Sequence, residues 1–509
     1  MPKLLPVILC AATVTIFAAD RKPSRHRLND IQNIVVIYAE NRSFDNLFSY
    51  FPGTPGLSKV MPSRYRQTDR DGSVMKELPP VWGGLTERSV TPAVTEAQTA
   101  HLPNKPFAID DPKGLNAPRG TITRDLWHRF YQNQMQINGG RNDRFAAWAD
   151  SGGLVMGHYE SSKLALWKIA REYTLADHFF MGAFGGSFLN HQWLICACVP
   201  VYPNADHSPA RGSIAVVEAD GVKLKVAPNS PKSAIDGEPK FVSDGNISPD
   251  FYAVNTMQPP YQPSNIKPAP GGDLRLADPA SENWLPPQTA KTIGDLLSAK
   301  GVSWAWYAGA WKATLEGHNN RLVPNFQFHH QPFNYFAGMA PGTLERAQHL
   351  KDGGLAGTEF LKTVDTGALE QVTFYKPQGN LNLHAGYAAV EAGDAHIADV
   401  IAHLQKSPQW KHMVVIVTWD ENGGFWDHVT PPKGDRWGPG TRIPAIIISP
   451  FAKKGKVDHT PYDTTSILRL ITRRFTLPVL PGIAERDAKM KAQEKAPLGD
   501  LTGALNLSR

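Results

Sequence analysis

Four short apolar runs stand out against polar flanks: Ile34-Val35-Val36-Ile37-Tyr38, Trp304-Ala305-Trp306-Tyr307, Met413-Val414-Val415-Ile416-Val417 and Ala445-Ile446-Ile447-Ile448. Runs this short and this continuously apolar predict strands buried on both faces. Between them the period changes. Ile397, Val400, Ile401 and Leu404 follow the i, i+3, i+4, i+7 spacing of one helical face. Ile293, Leu296 and Leu297 form a shorter stripe that stops at Gly301, as a C-terminal cap requires. Ile467, Leu468 and Ile471 follow Asp463, a residue suited to an N-cap. Strands alternating with helices predict an α/β fold, a mostly parallel central sheet between two helical layers.

Two stretches break the alternation. Residues 50–120 and, more strongly, 200–288 are rich in Pro, Gly and polar residues, with a hairpin-like turn at Gly221. They predict irregular insertions over the edge or carboxyl end of the sheet, where long ordered loops shape binding sites. The 479–509 stretch is charged and weakly patterned, which predicts a loosely held C-terminal tail. At the other end, Lys3 precedes an apolar stretch to Ala19, with charges resuming at Asp20. A charged start, a short apolar core and a small-residue exit predict a signal peptide over 1–19 and export to the periplasm or the medium. Leu9 before Cys10 argues against a lipoprotein anchor.

Composition refines this picture little. Apolar residues make up 41% of the 509, enough for a large core. The net charge of +6 is spread out, and the absence of a basic block argues against nucleic acid as a partner. Cys196 and Cys198, one residue apart in an apolar run, are expected as buried free thiols rather than a disulfide.

Three segments carry chemistry, each at an expected strand end or helix start. Glu40-Asn41-Arg42-Ser43-Phe44-Asp45 leaves the first strand, where open α/β sheets bind ligands. Glu40 offers a carboxylate and Asn41 a carbonyl oxygen and an amide donor. A plain helix start, capped by Asn41 or Ser43, also accounts for this segment. Trp419-Asp420-Glu421-Asn422-Gly423-Gly424-Phe425-Trp426-Asp427-His428 leaves the Met413–Val417 strand. Asn422-Gly423 fits a turn, which does not explain adjacent carboxylates at a buried strand end. Those repel unless a cation compensates them. In Gly185-Gly186-Ser187-Phe188-Leu189-Asn190-His191-Gln192, Ser187 opens a helix, either as a cap or as a nucleophile beside free N–H groups. His101, His329, His330 and His384 are available to bind phosphoryl oxygen or protonate a leaving group.

Together these segments resemble the bacterial phosphoesterase family of acid phosphatases and non-specific phospholipases C, over about residues 30–475 of an expected domain at 30–478. The resemblance implies an alkaline-phosphatase-like three-layer α/β/α sandwich carrying large irregular insertions. It implies metal ligands at Glu40, Asn41, Asp420 and Glu421, a nucleophile at Ser187, and phosphate-facing histidines at His101, His329, His330 and His384. Asn41, His101 and His330 would bind substrate. The implied cofactor is a divalent ion, and oxygen-rich ligands suit Ca, Mg, Mn or Fe without excluding Zn. The Gly-Gly-Ser-Phe-Leu-Asn-His-Gln segment is nearer the acid-phosphatase branch. The phospholipases more often place Thr at the Ser187 position.

The expected activity is therefore hydrolysis of phosphomonoesters through a phosphoseryl intermediate. The alternative is a phospholipase C acting on phosphodiester headgroups, with a phospholipid surface as partner. Phe188-Leu189-Asn190 does not fit the setting of a sulfatase nucleophile. An inactive exported binding protein on this scaffold would be expected to have lost one of Glu40, Ser187, Asp420 or Glu421, and all four are present.

Overall fold

In the computed structural model, which describes residues 27–84, 94–320 and 323–507, the four apolar runs are strands of one eight-stranded sheet. The predicted leader lies outside the described residues. In chain order the strands are β1 (Asn33–Ala39), β2 (Thr174–Ala176), β3 (Trp304–Gly309), β4 (Leu350–Gly354), β5 (Val372–Lys376), β6 (Met413–Trp419), β7 (Ala445–Ile448) and β8 (Lys456–Asp458). Their order across the sheet is β8-β2-β7-β6-β1-β5-β3-β4. β7 runs antiparallel to both of its neighbours, and every other pairing is parallel. β1 and β6 are buried along their whole length, which is why their sequences do not alternate.

The helices that matter below are α1 (Phe44–Phe48), α2 (Ser187–Cys196), α3 (Ile293–Lys300), α4 (Val390–Lys406), α5 (Thr465–Phe475) and α6 (Pro481–Ala492). α2 touches α3 and α5, while α4 touches the helices Ala165–Glu172 and Thr358–Asp365. The two groups cover the buried sheet as separate layers. Ile397, Val400, Ile401 and Leu404 are the buried stripe of α4. Gly301 ends α3 with a φ of 70°. Asp463 Oδ1 accepts the Thr465 amide at 2.8 Å at the start of α5, one position outside the N-cap itself.

Two expectations need correction. The C-terminal stretch is not loosely held. Its helix α6 buries Ile483, Arg486 and Met490. The Arg486 guanidinium is fully buried and paired with Asp435 at 2.8 Å and Asp463 at 2.7 Å. Charge in this segment serves internal pairing, which a hydropathy pattern cannot register. Cys196 and Cys198 are not free thiols but are joined by a disulfide. Ala197 ends α2 in the left-handed region, φ 50°, and that turn brings the two Cα atoms to 5.1 Å, inside disulfide range.

Candidate active site

Strand register sets the site. Ala39 of β1 pairs with Trp419 of β6, so the next residues, Glu40 and Asp420, leave the sheet side by side. Asn41 turns away with φ 58° while its amide donates to Asp420 Oδ1 at 3.0 Å. The Arg42 amide donates to the Glu421 carbonyl at 3.0 Å, which ties the two loops together. Gly423 is required here: a Cβ at this residue would lie 2.4 Å from the Asn41 carbonyl oxygen. The Asn422-Gly423 turn does form, with the Phe425 amide on the Asn422 carbonyl, but it belongs to a long β6–β7 connection rather than a hairpin. The helix-start reading of the first segment also holds, since Ser43 caps α1 by accepting the Asn46 amide at 3.2 Å.

Ser187 is the first residue of α2. Its Oγ lies 3.2 Å from Glu40 Oε2, 3.3 Å from Asn41 Oδ1 and 3.3 Å from Glu421 Oε1. A hydroxyl has one proton, so it satisfies one of these oxygens and leaves the others facing one another. Glu40, Asp420 and Glu421 are all fully buried. Burial pushes the Glu40 carboxyl up, but the adjoining Lys376 ammonium and then His330 outweigh it and hold the group well below the ordinary carboxylate range. Burial, and then the Glu40 charge, push Asp420 well above that range, and burial does the same to Glu421. Asp420 Oδ2 and His191 Nε2 have no hydrogen bond, and Glu40, His191 and Asp420 offer ligand atoms within 4.8 Å of one another. Three buried carboxylates and one lysine leave a deficit of positive charge, and the converging oxygens fit a divalent cation.

Histidines surround this centre. His330 Nε2 is 2.9 Å from Glu40 Oε1, and His384 Nε2 is 3.9 Å from Glu40 Oε2. His329 stands edge-on to His330, ring centroids 5.0 Å apart. Burial depresses all three, His329 far below the usual histidine value and His384 to about 3. His101 is elsewhere: its ring is 82% exposed, it pairs with Glu77, and it is not in the wall of the cavity above Ser187.

The fourth inner histidine is His128, which the sequence reading missed. Its Nε2 lies 3.2 Å from Asn41 Nδ2 and 3.4 Å from Glu421 Oε1, and its Nδ1 bonds the Leu126 carbonyl. Asp125 stands 3.6 Å from that Nδ1, with its carboxyl raised by burial to about 7. His191 was also passed over, although it lies one helical turn after Ser187 and bonds the Ser187 carbonyl at 2.7 Å. Lys376 ends β5 with nothing in its sequence surroundings to mark it. Its ammonium is fully buried between Glu40 and the face of Tyr38. Above Ser187 opens a cavity of about 780 Å³, walled by His128, His329, His384 and the 254–265 part of the long insertion.

The chain is a phosphoric ester hydrolase, the class that its family and its relatives named phospholipase C define. The chain belongs to the Phosphoesterase family, whose sequence profile matches residues 31–478. It is 25% identical to Phospholipase C B of Mycobacterium tuberculosis, over 96% of this chain and 80% of that protein. It is 27% identical to the Non-hemolytic phospholipase C of Burkholderia pseudomallei, over 47% of this chain and 38% of the other. Among solved structures it is similar to a protein in the alkaline phosphatase superfamily from Vibrio parahaemolyticus, with 12% identity, a TM-score of 0.32, and coverage of 66% of this chain and 65% of that one.

Proposed function

We propose that this chain is an exported, metal-dependent phosphomonoesterase that works through a phosphoserine at Ser187. The observation that carries the reading is the single serine hydroxyl facing Glu40, Asn41 and Glu421 at 3.2–3.3 Å. Glu40, Asn41, Asp420 and Glu421 would hold the ion. When bound, it supplies positive charge that favours the ionised hydroxyl and offsets charge on the phosphoryl oxygens. Ser187 Oγ attacks phosphorus, and its proton passes to one of the acceptor oxygens it already faces. The free N–H groups at the start of α2 and the Asn41 amide donate to the phosphoryl oxygens.

As the ester P–O bond breaks, the departing alkoxide takes a proton from His128, which stands at the cavity with its Nδ1 anchored on a main-chain carbonyl. Burial lowers the His384 and His330 rings, which suit orientation better than proton delivery. A water then attacks phosphorus and gives a proton to His128, the Ser187 O–P bond breaks as Ser187 Oγ takes back its proton from the acceptor oxygen, and phosphate leaves. The leader pattern supports export.

A second reading, hydrolysis of phospholipid headgroups at a membrane surface, is favoured by the relatives named phospholipase C and by a cavity with room for a sizeable leaving group. Initial rates on p-nitrophenyl phosphate and on phosphatidylcholine vesicles separate the two. Phosphomonoester turnover with no release of phosphocholine supports the first. Release of phosphocholine as the dominant product supports the second.

A further inference from the structure

Away from the site just described, the sheet carries another convergence of metal-binding side chains. β8 is a three-residue edge strand that pairs in parallel with β2, Asp458 opposite Ala176. The next residues on each strand, His459 and Asp177, therefore emerge side by side, with His178 following. Asp177 is a fully buried carboxylate. His178 Nδ1 lies 2.8 Å from its Oδ1, and His459 Nδ1 lies 2.8 Å from its Oδ2. One donor atom from each of the three residues lies within 4.8 Å of the other two.

No stronger cation serves this carboxylate. Among the described residues only the two imidazoles come within ion-pair distance of it. Arg442 pairs with Asp45 and Asp427 and reaches Asp177 only at its main-chain carbonyl. The comparable Asp45, Asp427 and His428 cluster is neutralised by that same arginine, and the remaining clusters belong to the Ser187 site. A buried carboxylate is retained when paired or coordinated. Two imidazoles from different strands meeting one carboxylate is the donor set of a three-ligand transition-metal site with open positions. The rings are reachable: His178 is 29% and His459 61% exposed, and His459 borders a surface cavity of about 960 Å³.

We propose that Asp177, His178 and His459 bind a divalent transition-metal ion of the zinc class, which fastens the edge strand β8 to β2. The nitrogen donors select against calcium and magnesium, which take oxygen ligands. A three-residue strand at a sheet edge has few bonds to hold it, so a bound ion there acts on stability rather than on turnover. The proposal is independent of the function proposed for Ser187.

The test is calorimetric titration of zinc chloride into the chelator-stripped full chain, with thermal melting with and without zinc. His459→Ala and His178→Ala are each expected to bind one zinc equivalent fewer than wild type, or to bind it at least about 100-fold more weakly. Each should also lose part of the zinc-induced rise in Tm. Asp420→Asn, which alters only the Ser187 centre, should keep that equivalent. The ring of His459 is largely exposed, so its removal leaves the metal-free circular dichroism spectrum unchanged. Wild-type stoichiometry and affinity in both histidine variants would overturn the proposal, whatever Asp420→Asn does.

Discussion

Ser187 Oγ stands 3.2 Å from Glu40 Oε2, although 147 positions separate the two residues in sequence. The contact is made by the sheet. β1 delivers Glu40 at its carboxyl end, and the turn through Gly185 and Gly186 sets the start of α2 above it. The Cβ that Gly185 lacks would lie 2.6 Å from the Phe130 backbone, so this approach tolerates no side chain there.

Removing one ligand should uncouple the ion from the fold. Asp420→Asn keeps size and the ability to accept the Asn41 amide, and it removes one of three buried carboxylates. Metal content by elemental analysis and kcat should fall together, the rate by at least about 100-fold, since even outer-shell changes cost up to about 100-fold. Chelation of the wild type should give the same loss, reversed by adding the ion back. Full metal content with a lost rate would contradict the ligand assignment.

His128→Asn tests the proton donor. A general acid contributes about 10²–10⁴-fold, and it matters most when the leaving alcohol is a poor one. The variant should lose about that factor on an alkyl phosphate and far less on p-nitrophenyl phosphate, whose phenolate leaves unaided. Equal losses on both would remove His128 from the role. His101→Ala, a change on the surface, should leave both rates unchanged.

The Asp45–His428 pair sets a pH dependence of stability. Burial alone would lower His428, but the Asp45 carboxylate 2.6 Å away outweighs it and raises the ring above its usual value. A raised histidine stabilises fully below its unfolded value, and the contribution is lost as pH rises through the folded value. His428→Gln should therefore destabilise by about 2 kcal/mol, the size of a charge-assisted hydrogen bond, at about pH 5.5, and by progressively less above the ordinary histidine value of about 6.5. Asp45 has the opposite sign. Its carboxyl is depressed, despite burial, by His428 and Arg442, so its contribution is present above the ordinary aspartate range and lost in acid. Urea unfolding across pH measures both.

Arg486→Met should destabilise by about 3–5 kcal/mol, because it strands two buried carboxylates, Asp435 and Asp463. Loss of protection in amide exchange should concentrate in α6. A stability unchanged from wild type would mean that the helix is held by its apolar contacts alone.

What the sequence makes legible is what periodicity and local motifs encode. The β1, β3, β6 and β7 runs, the α4 stripe and the positions of Glu40, Ser187 and Asp420 at element ends all follow from short stretches of chain. β5, Val372-Thr373-Phe374-Tyr375-Lys376, does not stand out because Thr373 breaks its apolar run and Lys376 ends it, and Lys376 is hidden with it. His128 lies between Trp127 and Arg129 just before a helix, and nothing there distinguishes it among 17 histidines. It becomes visible only when a loop folds over β6. His101 is misplaced for the same reason, since nothing in its sequence neighbourhood shows that tertiary packing leaves its ring exposed. Buried pairs such as Arg486 with Asp463 join residues 23 apart, and hydropathy scores both as surface.

A phosphoserine at Ser187 is tested most directly by acid quench of the enzyme during turnover of a phosphomonoester, followed by mass spectrometry of the peptide containing Ser187. That peptide is expected to be heavier by one phosphoryl group on Ser187, with no such species and no turnover in Ser187→Ala. An unmodified peptide under conditions where product bursts, together with sustained turnover by Ser187→Ala, would contradict it.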